Sequence, residues 1–522
     1  MKKSIFTSWI KDNYDKIFLV ILAIAFIIRI LVFIKTQNQP LWWDAADYLA
    51  TAKRWAGFEL NNIWYYRRGF LWPLFSAFFF MIGVGEKTIR FIEVLFSTGI
   101  IYVSYFLIRD MFNKKFALLT SIGLSFSWIL LFFTARPLTS IPATFFLLTA
   151  LFFFYKGYIL EKGNKYLYLF AIFYALAILT RMQYLLFTFP FLVYAFTREK
   201  FSLFKNKKLW IVVGIFLLVI SPQIVSYTTH YGNPITDILA HYFGISGVSE
   251  TPTNQRTVST IFSYLKDLPY ILGGTPASST FSFLSKVLLF SFLIGFILFF
   301  IDLILGFDKI FQNPKLQKKL FVLLWILTLF LVLGYITDYV EHRYVIPALP
   351  FVFLISAIPL INLKKYLKIN YKFISILFIF LVILVPNLIW ANNLIEAKKT
   401  SYLEVKQAGE WIKENSEPRD IVLSVSLPQT MYYSERPTYP FNMASKEFRR
   451  RDSTIPDYGQ DREGFENFIE DKKPKYLIMS AFEVHPDWVY TWPEEHKDEL
   501  TPVKAFNQGD QTVLVIYEFK YS

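Results

Sequence analysis

Asp44 and Asp47 lie three residues apart in QPLWWDAADYLATAKRW, the segment that follows the first apolar run. On a helix this spacing puts both carboxylates on one face. One can then act as general base, taking a proton from an acceptor hydroxyl or amine, while the other binds the acceptor or orients the first. The pair also fits a plainer role, as solvated acids or a helix N-cap above an interfacial belt of Trp42 and Trp43. Arg67 and Arg68 close the same loop in IWYYRRGFLWPLF, and paired guanidiniums at a membrane interface suit a lipid phosphate. Arg90, Arg136, Arg181 and Arg343 recur near the ends of apolar runs, in EKTIRFIE, FTARPLTS, ILTRMQY and YVEHRYVIP. Charge at membrane depth is costly, so cations converging on one side suggest an anionic partner, although each can also snorkel to headgroups alone. His342, between Glu341 and Arg343, has no second ligand at metal-binding spacing and reads as a hydrogen-bonding residue.

The elements that must position these residues are membrane spans. The 522 residues are 54% hydrophobic and 20% aromatic with 18% charged, a composition that excludes a water-soluble globular protein. Uncharged runs of roughly 17 to 22 residues match the hydrocarbon thickness of a bilayer. The absence of cysteine excludes disulfides, thiolate nucleophiles, iron–sulfur clusters and Cys-based zinc sites. Much of the net charge of +14 sits in short clusters between apolar runs, which fits the positive-inside rule better than a nucleic-acid surface. No GxxxxGK[ST], GxSxG, HExxH or strand-linked GxGxxG string occurs, so ATP-driven transport and serine-hydrolase chemistry gain no support.

With the Lys/Arg-rich connectors taken as cytoplasmic, the spans are 17–34, 89–108, 116–133, 138–158, 166–179, 182–196, 209–227, 287–305, 320–336, 345–361 and 373–389. This is a polytopic α-helical membrane protein of about eleven crossings. The start MKKSIFTSWIKDNYDK lacks a small-residue cleavage site, so the first span is retained and the N-terminus is cytoplasmic. Residues 70–84 are too few to cross and read as interfacial or re-entrant. The short pair 166–179 and 182–196 reads as a tight hairpin turning near Arg181. The outside then holds 35–69, 230–282 and the tail 390–522. In the tail, helical strings (YLEVKQAGEWIKEN, GFENFIED) and β-like strings (DIVLSV, KYLIMSA, TVLVIYEF) predict a small α/β domain. The expected domains are therefore 1–389, whose first external loop (35–88) carries the acids, and 390–522. Apart from residues near their ends, such as Glu93, the spans are almost free of charge, which favours one-sided chemistry over a polar path across the bilayer.

The order of WWDAADYLATAK, RRGFLWPLF, EKTIRFIEVLFSTGIIYVSYFLIRDMF, ARPLTSIPATFFLLTALFFFYKGY, LAILTRMQYLLFTFPFL and EHRYVIPALPFVFLISAIPL resembles the GT-C glycosyltransferases. Within that class the chain is similar to the protein O-mannosyltransferase and aminoarabinose transferase family. The resemblance implies a polyprenyl- or dolichyl-phosphate-linked sugar as donor, an inverting single displacement at the outer face, and a protein, glycan or lipid acceptor. By the same resemblance, Asp44 is the base and Asp47 the second carboxylate. Arg67 or Arg68, Arg90 and Arg343 are implied as donor-phosphate contacts, and Arg136 and Arg181 join them by position. Trp43, Tyr66, His342 and Tyr344 are the candidate lining of the substrate pocket. The family usually has Asp-Glu where this chain has Asp44-Ala45, and its paired prolines are reduced here to Pro73. Oligosaccharyltransferases carry a tryptophan-tryptophan-aspartate string in the soluble domain, whereas here it stands in the first external loop, so transfer of a whole oligosaccharide is disfavoured. No cofactor is required, and a divalent metal is optional. The resemblance leaves two other readings open: a lipid-linked-sugar flippase, and a non-catalytic scaffold paralogue.

Overall fold

Each expected span falls on helix among the described residues. A computed structural model describes residues 13–236, 261–274, 282–337, 340–363, 372–441, 456–459, 461–483 and 486–521. The expected external piece 230–282 lies largely outside these residues, as do the N-terminal 1–12 and the connector 364–371. Eight of the described helices are long and apolar enough to cross a membrane: Tyr14–Thr36, Gly85–Met111, Ser140–Ile159, Lys207–Tyr231, Ser282–Leu305, Pro314–Ile336, His342–Leu363 and Phe373–Ala397. The three remaining expected spans are helical but short or broken. Residues 116–133 divide into Lys114–Phe126 and Trp128–Phe133, Asn164–Thr180 has 17 residues, and 182–196 begins as a 3-10 turn before Thr188–Glu199. The protein is thus a multi-pass membrane protein.

The chain divides into two compact units. The first comprises residues 1–35, 92–135 and 139–396 and contains most of the long helices. Three of its helices start after a basic connector with an asparagine cap. The side chains of Asn113, Asn206 and Asn313 accept hydrogen bonds from the backbone N–H groups of Lys115, Lys208 and Lys315 at 3.0–3.1 Å. Lysine at a helix N-terminus opposes the macrodipole, so helix stability does not account for these positions.

Arg29 lies inside the first of the nearly uncharged spans. It is fully buried in Tyr14–Thr36. Its guanidinium donates to Ser97 Oγ (2.8 Å) and to the carbonyls of Ala25 (3.1 Å), Leu124 (3.2 Å) and Ser125 (3.5 Å). The last two carbonyls lose helical partners where the backbone breaks at Ser127, so Arg29 caps an interrupted helix.

The second unit joins residues 36–91, 136–138 and 397–522. The last long helix runs to Ala397, so the tail domain begins some residues beyond the expected boundary at 389/390, and the first loop groups with that tail. The sheet contains β1 (Val422–Ser424), β2 (Thr438–Tyr439), β3 (Tyr476–Ser480), β4 (Leu500–Gln508) and β5 (Gln511–Phe519), in the order β2-β1-β3-β5-β4. β1 pairs in parallel with β2 and β3, while β5 is antiparallel to both β3 and β4. The helix Leu403–Asn415 covers the sheet, burying Val405, Ala408 and Ile412 against Val422, Ile478, Leu514 and Ile516. Across its other side runs Leu427–Ser434. A Cβ on Gly409 would lie 2.6 Å from Tyr433 Cβ, so only glycine permits this approach.

Candidate functional site in the first external loop

The sequence WDAADYLATAKRW forms the helix Trp43–Trp55. Its alanines favour helix, Asp44 lies in the first turn where the macrodipole favours an anion, and Lys53 and Arg54 lie in the last. Ala45, Ala46, Leu49, Ala50 and Ala52 bury its packed face, and burial of Leu49 alone contributes roughly 1.5–3 kcal/mol. The small side chains allow close approach of Leu71–Met81 and Leu427–Ser434. At 11 residues, Leu71–Met81 spans only about 16 Å, in keeping with an interfacial or re-entrant segment.

Arg68 brings the two acids together. Its Nη1 donates to Asp47 Oδ2 at 2.6 Å and its Nη2 to Asp44 Oδ1 at 3.1 Å. Tyr48 and Tyr65 lie against the guanidinium at 5.4 and 5.9 Å. The Asp47 side chain is 7% exposed and that of Asp44 27%, so Asp44 is the carboxylate that a reactant can approach. Arg67 instead donates to Tyr65 Oη (2.8 Å), and Tyr66 Oη accepts from Asn62 (2.9 Å). Both arginines of the RRGF string thus reach Tyr65, and Arg68 also holds the two acids.

Arg90 is buried and fastens the start of the loop. It donates to the carbonyls of Thr36 (3.2 Å) and Gln39 (2.6 Å) and to Glu86 Oε1 (2.6 Å). Arg136 lies over the Trp42 ring at 4.0 Å, while the neighbouring Trp43 is 40% exposed. Arg90, Arg136, Trp42 and Ala45 line one small cleft. The position where the resembled family has glutamate thus faces two guanidiniums and carries only a methyl group. Burial, and then the like charge of Arg90, push the Arg136 guanidinium down to about 9.

A second support comes from a lysine that the sequence reading did not single out. Lys53 Nζ donates to Glu435 Oε1 and to the Tyr432 carbonyl, both at 2.8 Å, and lies 4.0 Å from the centre of the Tyr432 ring. Desolvation outweighs the pull of Glu435 and lowers the Lys53 ammonium. Glu435, although partial burial works the other way, is held low by Lys53 and Lys413. Tyr433 Oη accepts from the Leu41 backbone N–H (2.7 Å), and Tyr432 donates to Glu86 (2.9 Å). The sequence signal was a lysine in the last turn of the acid-bearing helix, but its partner is 382 residues away.

The remaining predicted residues belong to the other unit. The helix before Arg181 ends at Thr180, so the expected hairpin turn falls where it was placed. Arg181 is buried, donates to Ser140 Oγ (2.9 Å) and lies over the Tyr344 ring at 4.1 Å. Arg343 approaches the same ring at 5.4 Å and pairs with Glu341 at 3.1 Å. His342 Nε2 meets Asp267 Oδ2 at 2.7 Å, and its ring lies against those of Trp128 and Tyr270. Asp267 and these two aromatic residues were not anticipated. Among the described residues no group of three or more His, Cys, Asp or Glu is placed to hold a metal ion.

Fold and charges together define a polytopic membrane protein. Residues 67–225, less than a third of the chain, match the profile of the dolichyl-phosphate-mannose-protein mannosyltransferase family. Among solved structures, ArnT from Cupriavidus metallidurans bound to undecaprenyl phosphate is similar with a TM-score of 0.65 at 14% identity, over 95% of this chain and 97% of that one. The Archaeoglobus fulgidus oligosaccharyltransferase gives 0.59 at 14% identity, over 91% and 70% of the two chains. The arabinofuranosyltransferase AftD from Mycobacteria gives 0.52 at 14%, over 96% and 40%. No curated protein matches in sequence. The resemblance read from the loop and span motifs is borne out, and what these neighbours share with the chain is the fold.

Proposed function

We propose that the protein transfers a monosaccharide from a polyprenyl- or dolichyl-phosphate carrier to an acceptor on the outer face of a plasma membrane. In this reading the N-terminus is cytoplasmic and the tail domain, from about residue 397, is extracytoplasmic. The observation that carries the proposal is the single guanidinium of Arg68 spanning Asp44 and Asp47 on one face of a helix beside an interfacial segment. Asp44 takes the proton of the acceptor as its oxygen or nitrogen attacks the anomeric carbon. The bond from that carbon to the phosphate oxygen breaks, the carrier phosphate leaves as an anion, and configuration inverts. Asp47, nearly buried, fixes Arg68 and through it the direction of Asp44. A phosphate leaving group needs little protonation, so cations suffice at that end.

Arg181 suits that cationic role, because its charge is buried beside a hydroxyl and two aromatic faces with, among the described residues, no carboxylate paired to it. The similar structures lend support, since one holds undecaprenyl phosphate and another a dolichol-phosphate. A flippase reading would draw on buried charges in the spans, but the Arg29 donors are taken by Ser97 and by carbonyls of an interrupted helix. The test is to supply the purified protein in lipid with radiolabelled polyprenyl-phosphate monosaccharides and a membrane extract, and to compare wild type with Asp44→Asn. One sugar should transfer, and the variant should bind the same donor without transferring it. Lipid translocation without transfer by either form would instead support the flippase.

A further inference from the structure

A second concave site lies at the far end of the acid-bearing helix. Arg54, Glu59, Asn61, Asn62, Arg419 and Tyr439, with Leu60 and Pro437 among them, line a groove of mixed polarity and about 340 Å³. Its floor is fixed by hydrogen bonds. Asn61 donates to the Thr438 carbonyl (3.0 Å) and accepts from the Thr438 N–H (2.8 Å), while Asn62 donates to Tyr66. Glu59 and Arg419 form a two-point ion pair at 3.0 and 3.1 Å across the rim. Arg54 has no acidic partner among the described residues.

These features restrict the ligand. β2 is the edge of the sheet, and an exposed edge is a common docking place for an extended peptide. Here Asn61 occupies both main-chain groups of Thr438, so strand addition at that residue is blocked. Guanidinium and amide groups set beside Leu60 and Pro437 suit a hydroxyl-rich ligand, whose vicinal groups can be held by those planar groups against the Tyr439 ring. The unpaired guanidinium of Arg54 adds a requirement for negative charge. Arg54 follows Asp47 by seven residues, two turns on the same helical face, or about 10 Å along the axis.

We infer that this groove binds an anionic sugar of the acceptor glycan and thereby holds the acceptor in reach of Asp44. The inference rests on the transferase reading for its purpose but not for the binding itself.

Isothermal titration of the full-length protein in nanodiscs tests it, with a glucuronic acid disaccharide and glucose 6-phosphate as anionic probes and cellobiose as the neutral one. At least one anionic probe should bind at least tenfold more tightly than cellobiose, and which of the two binds tells carboxylate from phosphate. Arg54→Gln should weaken that binding at least tenfold. Glu59→Gln, which removes a competing carboxylate and releases Arg419, should strengthen it several-fold, and Asp44→Asn should leave it unchanged. Equal binding of neutral and anionic probes, no binding of any probe by folded protein, or indifference to both groove variants would overturn the inference. Binding that follows this pattern in a protein without transfer activity would uphold the groove while removing the transferase reading.

Discussion

Arg68 and Arg90 of the first loop are paired differently from Arg181 of the membrane unit. In the loop, Arg68 meets two carboxylates, and Arg90 meets one carboxylate and two backbone carbonyls. In the membrane unit, Arg181 meets a serine hydroxyl and two tyrosine rings. A compensated cation fixes its neighbours in place, whereas a buried cation without a carboxylate retains a field for an incoming anion. Under the proposed function, the difference separates charges that hold the loop from the charge assigned to the donor phosphate, although both kinds look alike as arginines near span ends.

Substitution at Arg90 and Arg181 tests that division most strongly. Arg90→Gln should lower stability by about 3 kcal/mol, because it removes the cation beside Glu86 and the donor to two loop carbonyls, and thermal unfolding in detergent reads it directly. Arg181→Gln should leave the unfolding temperature unchanged or raised while weakening donor binding roughly 10- to 100-fold. Reversed outcomes for the two variants would break the comparison.

Gly409→Val would press a side chain against Tyr433, whose helix supports Lys53 and Leu41, and should cost roughly 1–3 kcal/mol of stability in a denaturant titration. A smaller effect is expected from acid. The Glu435 carboxyl is held below its ordinary value of 4.5, so its contribution is complete above that pH and fades as pH falls through the lower folded value. Glu435→Gln should therefore flatten the acid limb of stability against pH. The smallest effect belongs to Ala45→Glu, which restores the acid usual in the resembled family beside Arg90 and Arg136. Transfer should stay within a few-fold of wild type if Asp47 already supplies the second carboxylate, and a much larger rise in rate would assign that role to position 45.

Local patterns made much of this architecture legible. Length and hydropathy located the helical runs, the spacing of Asp44 and Asp47 gave their shared face, and the break at Arg181 followed from two short runs between basic flanks. The strings DIVLSV, KYLIMSA and TVLVIYEF became β1, β3 and β5. Partners distant in sequence were not legible. Nothing near Arg68 in the chain says that it spans both acids, and nothing near Lys53 points to Glu435. Arg29 was visible as a lone charge in an apolar run, but its purpose depends on a helix interruption about a hundred residues later. The tail boundary was misplaced because Trp390 and the polar residues after it continue a helix to Ala397.

The most direct measurement of the central claim is single-turnover sugar transfer by Asp44→Asn and Asp47→Asn, with donor binding measured on the same samples. Asp44→Asn should lose about 10²- to 10⁴-fold in rate at unchanged donor affinity, and Asp47→Asn should lose less, through misplacement of Arg68. Transfer by Asp44→Asn at near wild-type rate would contradict the assignment of the base.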